Sequence, residues 1–314
     1  MEIRSGYAHN PAKDQDIELH SGVELHYEDL GNEADPAVLL IMGLGAQLTL
    51  WHNEFCGKLV DRGYRVIRFD NRDVGLSSKL HGQKSGGKLI PGLLRSFVGL
   101  PSTSVYRLED MAGDAAAVLD HLGIQRAHIV GASMGGMIAQ VFAATYPQRT
   151  AGLGIIFSSN NSALLPPPAP KALLALLKGP HPSSPQEVIV ANSVRVSKII
   201  GSPGYPKSDE QLRADAEENY QRCFYPQGIG RHFGAIMGSG SLRGYDKKIT
   251  APTVVIHGKA DRLMRPSGGK AIAAAIPGAR LVLLDGMGHD LPEPLFERIV
   301  GELTTTFAES TQAR

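Results

Sequence analysis

The feature that most restricts the fold is the alternation of short apolar runs with longer segments of helical spacing. Runs with strand character are found at residues 22–31, 37–43, 64–70, 127–133, 152–158, 253–258 and 280–286. Several of them, such as 37–43, are apolar along their whole length, which is typical of strands buried on both faces. Because helical patterns separate these runs, the sequence predicts an α/β fold with a doubly wound, mostly parallel sheet.

The alternation is interrupted between residues 159 and 249. The connection NNSALLPPPAPK contains prolines, which cannot continue a helix or a central strand. Only helical patterns follow, until the strand pattern returns at 253–258. We therefore expect a core formed by residues 1–158 and 250–314, with residues 159–249 inserted as a mainly helical cap. Such a cap would lie over the carboxyl ends of the strands, where open α/β sheets bind their ligands.

Composition narrows the class of partner. The 314 residues carry 32 Lys and Arg against 31 Asp and Glu, so the charge does not favour nucleic acid or an acidic membrane. No apolar run reaches the roughly 18 residues that a membrane span needs, and the polar start MEIRSGYAHNPAKDQD lacks the apolar region of a signal peptide. The two cysteines form no C-x-x-C motif. We expect a cytoplasmic protein that acts on a small molecule, and the sequence leaves its oligomeric state open.

The segment IVGASMGG places Ser133 between a predicted strand and a predicted helix, with Gly131 and Gly135 two residues away on either side. This is the pattern G-x-S-x-G. A nucleophile on so sharp a turn has a strained backbone, and its neighbours at these two positions must be small. The turn raises the hydroxyl above the sheet and directs the first helix amides towards the same point. Because a glycine-rich turn can also hold a passive serine, the interpretation depends on partners elsewhere in the chain.

Two other glycine-rich sites are excluded. No Gly-Lys-Ser/Thr follows the Ser133 segment, so it is not a phosphate loop. The segment MGLGAQL resembles the beginning of a dinucleotide fingerprint, but Leu48 occupies the position of its third glycine.

A serine nucleophile needs a general base and an acid that orients this base. His289 follows the last predicted strand in a glycine-containing loop, whereas His128 and His257 lie within strand patterns and are expected in the core. Asp261 lies in the loop after the preceding strand, where capping of the next helix is its alternative role. The chain order Ser133, Asp261, His289 matches that of the α/β-hydrolase arrangement.

Other acids fit this position less well. Asp285 lies too close to the predicted base, at the end of its strand, and Asp290 is directly adjacent to it. Residues 158–186 contain no Asp or Glu, so no acid is available after the sixth predicted strand.

These motifs together resemble those of the α/β-hydrolase superfamily. The resemblance covers residues 22–158 and 250–304 and rests on MGLGAQLTLW, RFDNRDVGLSS, VGASMGG, VVIHGKADRLM and GMGHDLP. The first two segments are most similar to the carboxylesterase group that includes aclacinomycin methylesterase. The serine at position 133 sets the chain apart from haloalkane dehalogenases of this fold, which use an aspartate nucleophile.

The resemblance implies a role for each matching residue. Ser133 corresponds to the nucleophile, Asp261 to the acid and His289 to the base. The backbone amides of Leu44 and Met134 correspond to the oxyanion hole, and no metal or cofactor is implied. The predicted activity is hydrolysis of carboxylic esters, with a small ester that carries an apolar group as the substrate.

Two positions depart from the family pattern. Relatives often have His-Gly in the oxyanion loop, where this chain has Met42-Gly43, and Asp73 replaces a common glycine in DNRDVGLS. The first change brings the geometry of the loop into question rather than the chemistry. We interpret Asp70, Arg72 and Asp73 as residues that fix loops by hydrogen bonds and ion pairs.

The same three residues could also serve other reactions. Lactones, amides, peracids and the carbon–carbon bond of a β-diketone are alternative targets, since pocket and cap choose among them. A small-molecule receptor with vestigial activity is a further alternative of a different class.

Overall fold

In the computed structural model, which describes residues 2–11, 22–83 and 89–312, a single eight-stranded sheet runs through the molecule. Its strand order is β1-β2-β4-β3-β5-β6-β7-β8. Strands β1, β2 and β4 pair antiparallel, and β4, β3, β5, β6, β7 and β8 pair parallel. The predicted mostly parallel sheet is therefore confirmed. The strands are β1 Ile3–Asn10, β2 Val23–Leu30, β3 Ala37–Ile41, β4 Arg65–Phe69, β5 Ala127–Ala132, β6 Thr150–Ile156, β7 Thr253–Gly258 and β8 Arg280–Leu284.

Helices cover both faces of the sheet, which explains why its central strands are apolar at every position. In β3, Leu39 and Ile41 pack on one face, and Val38 and Leu40 pack on the other. The helices are α1 Asn53–Val60, α2 Leu89–Phe97, α3 Leu108–His121, α4 Met134–Thr145, α5 Pro170–Leu177, α6 Gln186–Ile200, α7 Asp209–Arg222, α8 Gln227–Ser239, α9 Arg243–Asp246, α10 Pro266–Ala275 and α11 Phe296–Gln312. The buried sides of α3, α4 and α10 belong to the same apolar core as Leu39 and Ile41. Those of α1 and α11 belong to the core on the other face, with Val38 and Leu40.

The stretch from 159 to 249, called here the inserted segment, runs between β6 and β7 and contains α5 to α9. Three of these helices, α5 to α7, lie where helical spacing predicts them. In the part of the chain that the structure describes, no helix has the length and apolar character needed to cross a membrane.

The first strand was not anticipated from the sequence. β1 pairs with β2 from Ile3↔Leu30 to Asn10↔Val23, and most of its side chains are at least partly exposed. An edge strand of this kind needs backbone pairing but little apolar surface, so its composition is polar. Residues 1 and 12–16 of the polar N-terminal segment lie outside the described residues.

Candidate active site

Ser133 lies at the sharp turn between β5 and α4. Its backbone has φ 57° and ψ −122°, a combination that residues other than glycine rarely adopt. Hydrogen bonds hold this conformation: the amide of Ser133 donates to the carbonyl of Ile156 at 3.0 Å, and the Ser158 hydroxyl donates to the carbonyl of Ser133 at 2.7 Å. The turn is thus fixed by β6 and by the residue two positions after it.

The two glycines of the motif are required by close backbone approach. A Cβ on Gly131 would lie 2.1 Å from the carbonyl oxygen of Gly135. A Cβ on Gly135 would lie 2.0 Å from the carbonyl oxygen of Ile41, at the end of β3. The first helical turn therefore packs directly on the backbone of two strands, as the predicted crowding at these positions requires.

The structure brings Ser133, His289 and Asp261 together at the carboxyl edge of the sheet. Nε2 of His289 lies 3.0 Å from Oγ of Ser133, and its Nδ1 lies 2.7 Å from Oδ2 of Asp261. The three residues follow β5, β7 and β8, which all run parallel, so their loops meet at one edge. The ring of Phe157 packs against that of His289 with 4.8 Å between the centroids.

Asp261 is buried and is held on all sides. Its Oδ1 accepts hydrogen bonds from the amides of Leu263 and Met264 at 2.8 and 2.9 Å. Nε2 of His257 lies 3.4 Å from Oδ2 and 2.6 Å from the carbonyl of Met264. Burial opposes ionisation, but the interactions with His289 and His257 outweigh it and lower the pKa of Asp261 to about 2.

The competing acids are engaged elsewhere. Asp285 has an exposed side chain and pairs with Lys259 at 2.8 Å. Asp290 accepts a hydrogen bond from the hydroxyl of Ser202, and burial raises the pKa of this carboxyl group. Neither interaction is with the imidazole of His289.

The loop that carries His289 is attached to the inserted segment. The amide of His289 donates to the carbonyl of Ile200 at 2.8 Å, and the amide of Gly288 donates to the hydroxyl of Ser202 at 2.8 Å. The amide of Gly204 donates to the carbonyl of Gly286 at 2.9 Å. The position of the imidazole therefore depends on the last residue of α6 and on the chain that follows it.

The loop after β3, residues 42–48, passes directly over Ser133. A Cβ on Gly43 would lie 3.4 Å from Oγ of Ser133, so the neighbouring Leu44 is close to the hydroxyl in space. Met134 begins α4 and is buried. Leu44 lines the same cavity as Ser133, and Met134 directly follows the serine, so their role in an oxyanion hole stays a prediction.

This loop has anchors other than the histidine that relatives often carry in it. The side-chain amide of Asn71 donates to the carbonyl of Met42 at 2.9 Å, and the amide of Leu48 donates to Asp70 at 2.8 Å. The side chain of Gln47 donates to the carbonyls of Asn219 and Cys223 at 2.6 and 2.9 Å. These bonds attach the C-terminal end of the loop to the inserted segment. These hydrogen bonds hold the loop although position 42 is a methionine.

A cavity of about 950 Å³ opens above these residues and is lined by Ser133, His289, the loop and much of the inserted segment. Its wall is mainly apolar, with residues such as Phe97, Met237, Leu173 and Ile236. A volume of this size can accommodate a bulky small molecule.

A family model of the alpha/beta hydrolase fold matches residues 36–293, which is more than half of the chain. The chain belongs to the α/β-hydrolase family. Together with its relatives, this match confirms the family predicted from the motifs and the prediction that the chain is a hydrolase.

This α/β-hydrolase is 28% identical over 300 residues to a rhodomycin D methylesterase of Streptomyces peucetius, covering 90% of this chain and 94% of the relative. It is also 28% identical over 283 residues to a 2-hydroxy-6-oxononadienedioate/2-hydroxy-6-oxononatrienedioate hydrolase of Cupriavidus pinatubonensis, covering 88% and 86%. Among solved structures, the enol-lactonase of Burkholderia xenovorans LB400 has a TM-score of 0.66 at 23% identity, over 92% of this chain and 97% of that one, which shows a common fold.

Some residues at the site of this α/β-hydrolase could not be found from the sequence. His257 was expected only as a core histidine, yet it contacts the carboxylate of Asp261. Ser202 and Ile200 lie in the inserted segment, far along the chain from the loop that they hold. No local pattern marks such residues, because their importance arises from long-range contacts.

Proposed function

We propose that this α/β-hydrolase cleaves carboxylic esters through an acyl-enzyme intermediate on Ser133. The observation that carries the proposal is the chain of contacts from Ser133 Oγ through both ring nitrogens of His289 to Asp261, at 3.0 and 2.7 Å. Hydrogen-bond reach between nucleophile, base and orienting acid is the geometry that activates a serine hydroxyl.

In the first step, Nε2 of His289 takes the proton of Ser133 as Oγ attacks the ester carbonyl. The carbonyl oxygen gains negative charge, which the backbone amides of Leu44 and Met134 stabilise by hydrogen bonds. His289 then returns the proton to the leaving alcohol, the carbon–oxygen bond to this alcohol breaks, and the acyl group remains on Ser133.

In the second step, His289 takes a proton from water, which attacks the acyl-enzyme. Collapse of the second tetrahedral intermediate releases the carboxylic acid and returns the proton to Ser133. Asp261 holds the imidazole in the tautomer that presents Nε2 to the serine, and its charge stabilises the imidazolium formed in both steps. The lowered pKa of Asp261 keeps this charge present at neutral pH.

The inserted segment supports a role as a cap that selects the substrate. Its residues provide much of the wall of the 950 Å³ cavity, and the wall is mainly apolar. This favours an ester with a bulky apolar group. The similarity to a rhodomycin D methylesterase agrees with such a substrate and suggests a methyl ester.

A second candidate reaction is hydrolysis of another bond to a carbonyl carbon, because one relative is a 2-hydroxy-6-oxononadienedioate hydrolase. That substrate is a dianion and would need unpaired cations in the cavity. Lys198 pairs with Asp209 at 2.6 Å and Lys207 with Asp215 at 2.7 Å, whereas Arg262 and Arg265 of the wall form no ion pair among the described residues. The mainly apolar wall favours a neutral ester, and the two arginines keep the dianion as the second candidate.

Two measurements on Ser133→Ala test the proposal. We expect hydrolysis of p-nitrophenyl esters to fall by about 10⁴- to 10⁶-fold, since the variant lacks the nucleophile. A fluorophosphonate probe should label wild-type Ser133, located by mass spectrometry, and should not label the variant. Ser183→Ala, which removes an exposed hydroxyl outside the cavity, is the control.

Retention of wild-type turnover in Ser133→Ala would overturn the proposal. Failure of the probe to label Ser133 in a protein that binds small molecules would instead favour a receptor. A panel of methyl, aryl and long-chain esters, with lactones, anilides and a vinylogous β-diketone, distinguishes the bond that is cleaved.

A further inference from the structure

His232 of α8 lies fully buried against the loop that passes over Ser133. Its Nδ1 accepts a hydrogen bond from the amide of Gly45 at 3.1 Å. Its Nε2 lies 2.7 Å from the carbonyl oxygen of Arg72, to which it must donate because a carbonyl can only accept. These two partners fix the neutral tautomer of the ring, with the proton on Nε2.

Gly45, whose amide donates to His232, directly follows Leu44 in the chain. Gly45 itself has φ +65°, and a Cβ there would lie 2.7 Å from the side chain of Ile229, one turn earlier in α8. The helix therefore holds this peptide by a side-chain contact on one side and by a hydrogen bond on the other. The orientation of the peptide between Leu44 and Gly45 limits the orientation of the Leu44 amide, since the two share a backbone.

We propose that His232 is a positioning residue for ester hydrolysis, which holds the Leu44–Gly45 peptide so that the Leu44 amide meets the developing oxyanion. The inference rests on the proposed function, because it assigns the oxyanion role to this loop. The histidine comes from the inserted segment, whereas relatives often carry a histidine within the loop itself, at the position of Met42.

The surroundings of His232 keep the ring neutral and in place. Burial lowers the pKa of His232, and the charges of Arg72 and Arg231 act in the same direction, whereas Asp73 and the bond to Arg72 oppose them. Arg231, the preceding residue, forms a buried two-point ion pair with Asp73 at 2.7 and 2.8 Å. This pair fixes α8 to the loop after β4, so the ring has little freedom to move.

Two substitutions separate the positioning role from a merely structural one. In His232→Asn, the side-chain oxygen takes the place of Nδ1 and can still accept from Gly45, while the bond to Arg72 is lost. In His232→Gln, the side-chain nitrogen takes the place of Nε2 and keeps the bond to Arg72, while the acceptor for Gly45 is lost. Each variant removes one hydrogen bond from the same buried site, so similar losses of stability are expected.

The proposal predicts unequal effects on turnover. His232→Gln should lose about 10- to 100-fold in kcat with KM nearly unchanged, because a displaced amide weakens only transition-state binding. Its affinity for a boronic acid, which adds to Ser133 as a tetrahedral adduct, should fall by the same factor as kcat/KM. His232→Asn should stay within about threefold of wild type in kcat. His128→Leu, a change at a buried histidine stacked on Phe307, is the control for disruption of the core.

Equal kcat losses in the Asn and Gln variants, or wild-type kcat in both, would overturn the inference. If fluorophosphonate still labels Ser133 in that case, the proposed function stands without it. Should the variants not fold, nitrogen NMR of the wild-type protein gives an independent answer. An unprotonated Nδ1 on His232 and slow hydrogen exchange of the Gly45 amide are expected, whereas a protonated Nδ1 or fast exchange would contradict the contact.

Discussion

At the scale of one residue, the fold holds the carboxylate of Asp261 in its charged form and in a fixed position. The carboxylate is buried, yet two backbone amides and two histidine rings surround it. One oxygen is held by the loop and the other faces His289. The side chain can therefore orient the imidazole without moving itself, because its own position is fixed by the backbone.

Substitution Asp261→Asn should lower kcat by about 10³- to 10⁴-fold, because the amide favours the wrong tautomer of His289. The amides of Leu263 and Met264 can still donate to the remaining oxygen, so the loop should keep its shape. Ester hydrolysis assays and near-UV circular dichroism of the variant provide the check. Activity close to that of wild type would show that another group orients the base.

The pKa of Asp261 also predicts a stability effect. Because the folded pKa is about 2 and the unfolded value is 3.8, the folded state favours the ionised form. This stabilisation, on the order of 2 kcal/mol, is present above about pH 4 and is lost as the pH falls towards 2. Acid titration of the urea midpoint should show a shallower decline in Asp261→Asn than in wild type, and parallel curves would contradict the assignment.

At the scale of elements, α4 is a helix whose first turn is selected by packing rather than by helix propensity. Gly135 lies where any Cβ would meet the backbone of β3, whereas Gly57 of α1 has nothing within 4 Å of such an atom. Both glycines are helical, so propensity alone would favour alanine at each position by about 0.5–1 kcal/mol.

Alanine substitution should therefore have opposite effects at these two glycines. Gly57→Ala should raise the free energy of unfolding by about 0.5–1 kcal/mol. Gly135→Ala should lower it by at least about 1–3 kcal/mol, because backbone atoms cannot yield as a flexible side chain can. Urea denaturation of the two variants measures both changes, and stabilisation by Gly135→Ala would mean that the turn is looser than the contacts indicate.

Packing also outweighs helix propensity in α8, which explains why this helix was not predicted from the sequence. Its segment QGIGRHFGAIMGS contains four glycines, which lower helix propensity. A Cβ on Gly228 would lie 2.0 Å from the carbonyl of Asp73, and one on Gly238 would lie 2.1 Å from the hydroxyl of Ser104. These glycines are imposed by tertiary contacts, which a local pattern does not contain.

At the scale of the whole molecule, the two ends of the inserted segment are joined to each other. The side-chain amide of Asn160, near its start, donates to Asp246, near its end, at 2.7 Å. The amide of Leu242 donates to the carbonyl of Asn160 at 2.8 Å. Among the described residues, the second carboxylate oxygen of Asp246 has no hydrogen-bond partner, and burial raises its pKa to about 7.

This buried carboxyl group should make stability depend on pH. Between about pH 4 and 7, the folded state keeps a proton on Asp246 that the unfolded state has released, so stability falls as the pH rises. Asp246→Asn has no such proton, and its stability relative to wild type should therefore increase over this range by on the order of 2–4 kcal/mol.

Urea denaturation at several pH values measures this difference. Asp285→Asn, at an exposed ion pair with Lys259, is the control and should run parallel to wild type. A constant difference between Asp246→Asn and wild type across the range would show that Asp246 is ionised in the folded protein throughout.

The core of the molecule could be predicted from the sequence more fully than the inserted segment. Apolar runs and the spacing of helices mark the parallel strands, and strand ends bring Ser133, Asp261 and His289 to one edge because the topology leaves little choice. The residues that tie the inserted segment to the core carry no such signal. His232 is more than 180 positions from the peptide that it holds, as its contact with Gly45 shows, and only folding reveals that contact.

These ties bear on how the chain can be recombined with its relatives. Exchanging residues 159–249 as a module would replace His232, the partners of Gln47 in and directly after α7, and the chain that holds the His289 loop. An exchange confined to the stretch from Asn161 through α5 leaves all three sets of contacts in place. Chimaeras of that shorter kind should inherit new substrate preferences while retaining the turnover of their parent, whereas exchange of the full segment should transfer the rate as well as the preference.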